Sequence, residues 1–320
     1  MDLLEYSSSS TALGNSNPSN LVERIGRQLN SFGCLVIEYD EFESKNENQH
    51  ERKTNEASDD FLRLTDAENV FRVSEHFFQQ PLDIKSTGAS FDVSKRGYSA
   101  VSTENFALLI ANKGIPNDSV EKFRMGPISA ENDDFLLNLP KSGKSHFTPN
   151  CWPSSPVCMR SVFEQLYLKL EKVAKILCSL FDIIFETNLS DQMNHHTSIM
   201  TANYYPPSST ISRIAEHTDV SLFTIITSNA PGLLVRNNTN DWLCIDDNRK
   251  CMCVVIGEVF EFWSNGAIRP SLHKVEISEE SVRSSLSYFA SPNYDACPKH
   301  CQTTYHQWRK RKIKSLKSVR

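Results

Sequence analysis

His217-Thr218-Asp219 sets an imidazole and a carboxylate two residues apart, and on an extended strand such residues face the same way. A second histidine, His273, lies in the β-rich run Ser271-Leu-His-Lys-Val275. Two imidazoles and one carboxylate can occupy one face of an octahedral metal such as Fe(II), leaving three positions for a chelating ligand and dioxygen. Ten residues after His273, Arg283 and Ser285 alternate onto one strand face. A guanidinium beside a hydroxyl suits a buried carboxylate, because the planar fork can bond both oxygens. Asn203 and Tyr205 share a face of an upstream run and could reach the same carboxylate. Each piece alone has a bland reading, such as a core histidine, a turn aspartate or a surface arginine. Their occurrence in one β-rich region, in this order, favours the chemical one.

These side chains need a β framework to converge. After residue 197, β-rich runs occur at 198–205, 210–217, 221–228, 233–236, 242–246, 252–256, 259–263, 271–277 and 285–290. Turn residues such as Pro206-Pro207, Pro231-Gly232 and Asn265-Gly266 separate them. Many short strands at close spacing indicate a sandwich or barrel. The N-terminal half reads differently. A helix is expected over 21–29 with Asn20 as its cap, then a strand over 34–38. Thr65-Asp66 can cap a helix that Pro81 ends. Residues 160–185 form the clearest helix, with Val162, Leu166, Leu170, Val173, Leu177 and Leu180 recurring on a core-facing stripe. Residues 1–20 are Ser/Asn-rich and expected to be disordered, and the charged stretch 38–60 reads as a solvated insertion. The resulting organisation is a helical and mixed region over 21–153, a supporting helix within 154–190, a β core over 197–295 and a basic tail over 296–320.

Composition narrows the classes. Hydrophobic residues at 39% and charged residues at 23% are ordinary for a soluble globular protein. A net charge of −5 argues against a general nucleic-acid binder. No apolar run is long enough to span a membrane, and the acidic, Ser-rich N-terminus lacks signal-peptide, transit-peptide or myristoylation features, so a cytosolic protein is expected. The nine cysteines, an odd number with no framework, read as reduced thiols. Cys297-Pro-Lys-His300-Cys301 fits no usual zinc spacing and reads as a surface loop. Seven of the twelve residues from Arg309 to Arg320 are basic. That segment reads as a frayed, solvated tail, the alternatives being a nucleic-acid contact or a nuclear address.

The chain resembles the plant-type Fe(II)/2-oxoglutarate-dependent dioxygenases, in the superfamily of isopenicillin N synthase, over roughly residues 21–295. The resemblance rests on Asn203-Tyr-Tyr-Pro-Pro207, His217-Thr-Asp219, Pro231-Gly-Leu-Leu-Val235 followed by Trp242, Ser264-Asn-Gly266, Ser271-Leu-His-Lys-Val275, Arg283-Ser-Ser285 and Tyr288-Phe-Ala-Ser-Pro292. In the N-terminal half it rests on Phe32-Gly33, Phe77-Phe78, Arg96-Gly-Tyr98, Glu104-Asn-Phe106, Glu121-Lys-Phe123, Gly126-Pro127 and Asn150-Cys-Trp-Pro153. It implies a mainly β fold with flanking helices around a double-stranded β-helix, or jelly roll. It implies His217, Asp219 and His273 as iron ligands. Arg283 and Ser285 would then grip the distal carboxylate of 2-oxoglutarate, assisted by Tyr205 and Asn203. The implied enzyme is a monomer that uses Fe(II), 2-oxoglutarate and O2, with ascorbate as reductant. It would oxidise a small molecule, most often by hydroxylation, and release succinate and CO2. An oxidase of the same fold without 2-oxoglutarate and a macromolecule-directed hydroxylase are the alternatives. The chain also departs from the family pattern, with Arg213-Ile-Ala-Glu216 before the first ligand and Gly257-Glu258 for a common Gly-Asp pair. Arg213 and Glu216 are expected near the site mouth, with Tyr98, Phe106 and Phe289 as further candidates there.

Overall fold

The computed structural model describes residues 18–39, 62–89, 96–110, 114–128, 134–246 and 250–318. The Ser/Asn-rich N-terminus up to residue 17 and nearly all of the charged stretch 38–60 lie outside these residues.

The strand alternation of the sequence becomes two antiparallel sheets. The larger contains β1 (Cys34–Glu38), β2 (Gly97–Ser99), β3 (Glu121–Met125), β4 (Ile199–Tyr205), β6 (Phe223–Ser228), β9 (Cys251–Ile256) and β11 (Arg283–Ala290), in the order β1-β9-β6-β11-β4-β3-β2. The smaller contains β5 (Ser212–His217), β7 (Leu233–Arg236), β8 (Trp242–Cys244) and β10 (His273–Glu276), in the order β5-β10-β7-β8. The arrangement is a jelly-roll core with flanking helices.

The larger sheet is covered on both faces. Along β9, Met252, Val254 and Ile256 join the core under the helices, whereas Cys251, Cys253 and Val255 join the core between the sheets. Along β4 and β11 the outward residues are Met200, Ala202, Leu286, Tyr288 and Ala290. The inward ones are Thr201, Asn203, Tyr205, Ser285, Ser287 and Phe289, by the period of two. Over β4 and β11 the sheet is therefore apolar outside and mostly polar within, and that polar inner stripe is where chemistry can sit.

Four N-terminal helices precede or follow the first strands: α1 (Pro18–Phe32), α2 (Leu64–Phe78), α3 (Leu82–Thr87) and α4 (Asp134–Asn138), with a further turn of helix α5 (Lys141–Lys144). The 27-residue α6 (Met159–Phe185) is the main brace, burying Phe163, Leu166, Tyr167, Leu170, Leu177 and Phe181. Its apolar stripe is the one read from the sequence, extended by Phe163, Tyr167 and Phe181. The start of α2 differs from expectation: Arg63 is the N-cap, and Asp66 is its N3 residue, accepting the Arg63 backbone N–H at 2.7 Å.

Two further departures are informative. The apolar run 259–263, expected as a strand, is α7 (Glu258–Trp263), which buries Val259, Phe260 and Trp263. Gly257 starts it where a Cβ would collide with the Ser221 carbonyl oxygen, so only glycine passes. The basic segment is not frayed. It forms α8 (Tyr305–Ser318), with Tyr305 buried, Trp308 stacked on Phe262 and Lys312 Nζ 2.6 Å from Glu258 Oε2. No helix among the described residues is long and apolar enough to cross a membrane.

Candidate metal centre and adjoining anion site

β5 and β10 are neighbours in the smaller sheet, and their register sets His217 directly opposite His273. The rings lie 4.2 Å apart between centroids. Asp219 does not share the strand with His217, as the spacing suggested; β5 ends at His217 and Asp219 lies in the connection to β6. The turn still returns the carboxylate to the imidazoles. Asp219 Oδ1 is 3.6 Å from His217 Nε2, and Oδ2 is 3.7 Å from His273 Nε2. All three side chains are buried, and their ligand atoms lie within 4.8 Å of one another. It is the one such group of His, Cys, Asp or Glu among the described residues, so the Cys297–Cys301 segment assembles none.

Hydrogen bonds orient these three groups as a metal site would require. His217 Nδ1 lies 2.8 Å from the Ala215 carbonyl and His273 Nδ1 lies 3.0 Å from the Ser271 carbonyl. A carbonyl can only accept, so each Nδ1 carries the proton and each Nε2 turns its lone pair to Asp219. Burial and the neighbouring His217 push the His273 imidazolium down to about 4, against the pull of Asp219. Burial raises the Asp219 carboxyl, but His273, His217 and the Thr224 hydroxyl outweigh it and hold the group at about 2. Thr224 Oγ1 donates to Asp219 Oδ2 at 2.5 Å. An ionised carboxylate and two inward lone pairs are the donor set a hard-to-borderline divalent metal requires.

The triad opens into a cavity between the sheets. Phe106, Ile226, Leu233 and Phe289 supply apolar wall, and the far end holds Asn203, Tyr205, Arg283 and Ser285. The register explains that convergence: β4 pairs with β11 so that Arg283 faces Tyr205 and Ser285 faces Asn203. Tyr205 Oη lies 3.3 Å from Ser285 Oγ, and Asn203 Nδ2 donates to Ser285 Oγ at 3.3 Å and Ser287 Oγ at 3.2 Å. Burial raises the Tyr205 phenol above its ordinary range, so it remains a donor. The Arg283 guanidinium carbon sits 5.1 Å from the Tyr205 ring centroid.

Arg283 does not present the two-armed fork expected from the sequence. Its Nε donates to the Ala230 carbonyl at 2.9 Å and its Nη2 to Asp246 Oδ2 at 2.7 Å. Nη1 is buried with no partner. An orphaned guanidinium arm beside a phenol and a serine hydroxyl fits an incoming carboxylate. Asp246 escaped the sequence reading, as did Lys122. The Lys122 ammonium lines the cavity, sits 3.9 Å from the Phe106 ring centroid and donates to Glu104 Oε2 at 2.9 Å. Burial lowers it, against Glu104. The detectable signal was a charged residue at an inward position of an otherwise buried strand.

Of the expected mouth residues, Phe106 and Phe289 line the cavity, and Tyr98, Arg213 and Glu216 do not. Arg213 is fully buried elsewhere, donating to the carbonyls of Pro206, Ser278 and Glu279. Its length and five donors tie two loops together, which is a structural role. Tyr98 donates to Glu121 Oε2 at 2.6 Å, away from the triad.

Residues 196–292 match the sequence model of the 2OG-Fe(II) oxygenase superfamily. Among curated proteins the chain is similar to gibberellin 2-beta-dioxygenase 8 of Arabidopsis thaliana, 33% identical over 104 residues, which span 32% of this chain and 31% of that protein. It is also similar to the 2-oxoglutarate-dependent dioxygenase ecdK of Aspergillus rugulosus, 25% identical over 70% of this chain and 74% of that one. The matched stretch thus covers about a third of the first relative's length and about three quarters of the second's. Among solved structures, a putative 2OG-Fe(II) oxygenase family protein from Caulobacter crescentus shares the fold, with a TM-score of 0.70 at 17% identity over 93% of this chain and 95% of that one.

Proposed function

We propose, from the premise that this chain is a member of the 2OG-Fe(II) oxygenase superfamily, that it is an Fe(II)- and 2-oxoglutarate-dependent dioxygenase hydroxylating a small molecule, with succinate and CO2 as co-products. The carrying observation is the joint presence, in one cavity, of a buried two-histidine, one-carboxylate cluster and an unpartnered guanidinium arm. His217 Nε2, His273 Nε2 and an Asp219 oxygen would hold the metal. Arg283 Nη1, Ser285 Oγ and Tyr205 Oη take the distal carboxylate of the cosubstrate, and Asn203 orients Ser285. Bound together, Fe(II) and the 2-oxo acid supply the oxidative chemistry, with ascorbate keeping the metal reduced. The chain's own work is positioning and exclusion. The carbonyls of Ala215 and Ser271 fix the imidazole tautomers, and Thr224 fixes the carboxylate. Phe106, Ile226, Leu233 and Phe289 line the cavity beside the triad and would limit water there once a metal is bound.

One observation favours a second reading, an oxidase of the same fold without 2-oxoglutarate: Asp246 already engages one arm of Arg283. A single experiment separates the two. The metal-free protein is loaded with Fe(II) without oxygen and titrated with 2-oxoglutarate while the visible metal-to-ligand charge-transfer band is followed. A band that His217→Ala abolishes supports the dioxygenase. Iron binding without a band supports the oxidase, and no iron binding rejects both.

A further inference from the structure

Asp246 is buried, and its carboxylate gathers five donors. Oδ1 accepts the backbone N–H groups of Gly232 and Leu233, each at 2.9 Å, and lies 3.5 Å from Cys244 Sγ. Oδ2 accepts Ser228 Oγ at 2.8 Å and Arg283 Nη2 at 2.7 Å. These partners come from the end of β6, the start of β7, β8 and the start of β11, so one carboxylate ties four strands together behind the anion site. The Arg283 and Asp246 side chains are 1% and 6% exposed, which leaves little water to screen them. Two consequences follow for anything entering the cavity. The guanidinium offers one free arm instead of two, and its charge is already balanced.

We propose that Asp246 sets the specificity of the cosubstrate site. It withholds one arm of Arg283 and neutralises it, so the far end of the 2-oxo acid is read by hydrogen bonds from Arg283 Nη1, Tyr205 and Ser285, and a polar but uncharged far end is accepted. This rests on the dioxygenase reading above. An unneutralised fork attracts a carboxylate through charge and two parallel bonds, and it discriminates strongly against a neutral analogue. A neutral ion pair with one spare donor distinguishes the two mainly by hydrogen-bond strength.

Substituting Asp246→Asn makes the inference testable without emptying the node. The amide oxygen can keep the Gly232 and Leu233 N–H groups, and the amide nitrogen can donate to the Ser228 hydroxyl. It cannot accept from Arg283, so Nη2 is released and the positive charge restored. The probes are 2-oxoglutarate and its 5-methyl ester, titrated without oxygen into the Fe(II)-loaded protein and read by the charge-transfer band. In the unsubstituted protein the two dissociation constants are expected to lie within about tenfold of each other. In Asp246→Asn, 2-oxoglutarate is expected to bind about tenfold more tightly, a change of about 1.4 kcal/mol, with the ester and Fe(II) affinities unchanged. A preference above tenfold for the diacid in the unsubstituted protein overturns the proposal, and that measurement stands even if the variant fails to fold. So does a variant that binds 2-oxoglutarate no better, or worse, which makes Asp246 only a brace. If the unsubstituted protein loads iron and gives no band with either acid, the cosubstrate reading falls, a signature distinct from a shifted preference.

Discussion

At the metal end of the cavity each histidine is aimed by a carbonyl two residues away in its own chain segment. At the other end Arg283 is aimed by a carboxylate 37 residues earlier and by the carbonyl of Ala230. The two histidines of the candidate metal centre are thus set by local backbone geometry once β5 and β10 pair. The anion grip depends on strands that meet only in the finished barrel. Local support tolerates change elsewhere in the fold, whereas the grip depends on long-range packing. Substitutions at the two ends should therefore fail in different ways.

The largest effect is expected from Asp219→Ala, which deletes the one carboxylate of the triad. Iron affinity should fall by more than the roughly 10- to 100-fold typical of losing an outer-shell partner, as read by anaerobic Fe(II) titration. The fold should survive, because Asp219 lies outside the strands. Unchanged iron binding would mean that the triad is wrong. Arg283→Met comes next. Losing its one free donor to a carboxylate costs about 1.5–3 kcal/mol, so 2-oxoglutarate binding should weaken by about 10- to 150-fold while Fe(II) affinity stays near its starting value. Here the fold should suffer as well, because Asp246 becomes a buried carboxylate without its cation, a loss of about 3–5 kcal/mol. Adding Asp246→Asn to Arg283→Met should recover part of the melting temperature and none of the cosubstrate affinity. Equal melting temperatures for the single and double variants would break the comparison between the two ends.

Thr224→Val probes the metal end more gently. It removes the hydroxyl that orients Asp219 and keeps the side-chain shape, so Fe(II) affinity should drop about tenfold with 2-oxoglutarate affinity at saturating iron unaffected. A shift in cosubstrate affinity alone would show that the two ends are not separable.

The same contrast decides what the sequence disclosed. The gathering of His217, His273, Arg283 and Ser285 around one cavity was legible from strand alternation and residue type, whereas Asp219 reaches it from the turn after β5 and not from the strand face that the spacing suggested. The period of two also placed β4, β6, β9 and β11 to within two residues at each end. The run 259–263 misled because its apolar content suits a buried strand or a buried helix equally. The deciding contact, Gly257 against the Ser221 carbonyl, is non-local. The basic segment misled for a related reason: Tyr305, Trp308 and Lys312 find partners only on the folded surface of α7 and its surroundings. Asp246 simply closes the β-rich run 242–246 in the sequence. No local signal distinguishes a carboxylate that caps a loop from one that holds an arginine across the barrel.

Ser285→Ala is the smallest change and the sharpest test of how the load is shared at the anion site. Ser285 Oγ is already the meeting point of Tyr205 Oη and Asn203 Nδ2, each at 3.3 Å, which is long for a strong hydrogen bond. The hydroxyl can therefore turn to an incoming carboxylate at little cost, and Tyr205 can follow it. Losing one neutral donor costs about 1 kcal/mol, so the 2-oxoglutarate dissociation constant should rise about fivefold in the charge-transfer titration. The Arg283–Asp246 pair is untouched, so the melting temperature should hold and the 5-methyl ester should weaken by the same factor as the diacid. A larger loss for the diacid than for the ester would mean that charge still dominates the far end of the site. The neutralising role of Asp246 would then carry less of the selectivity than its contacts imply.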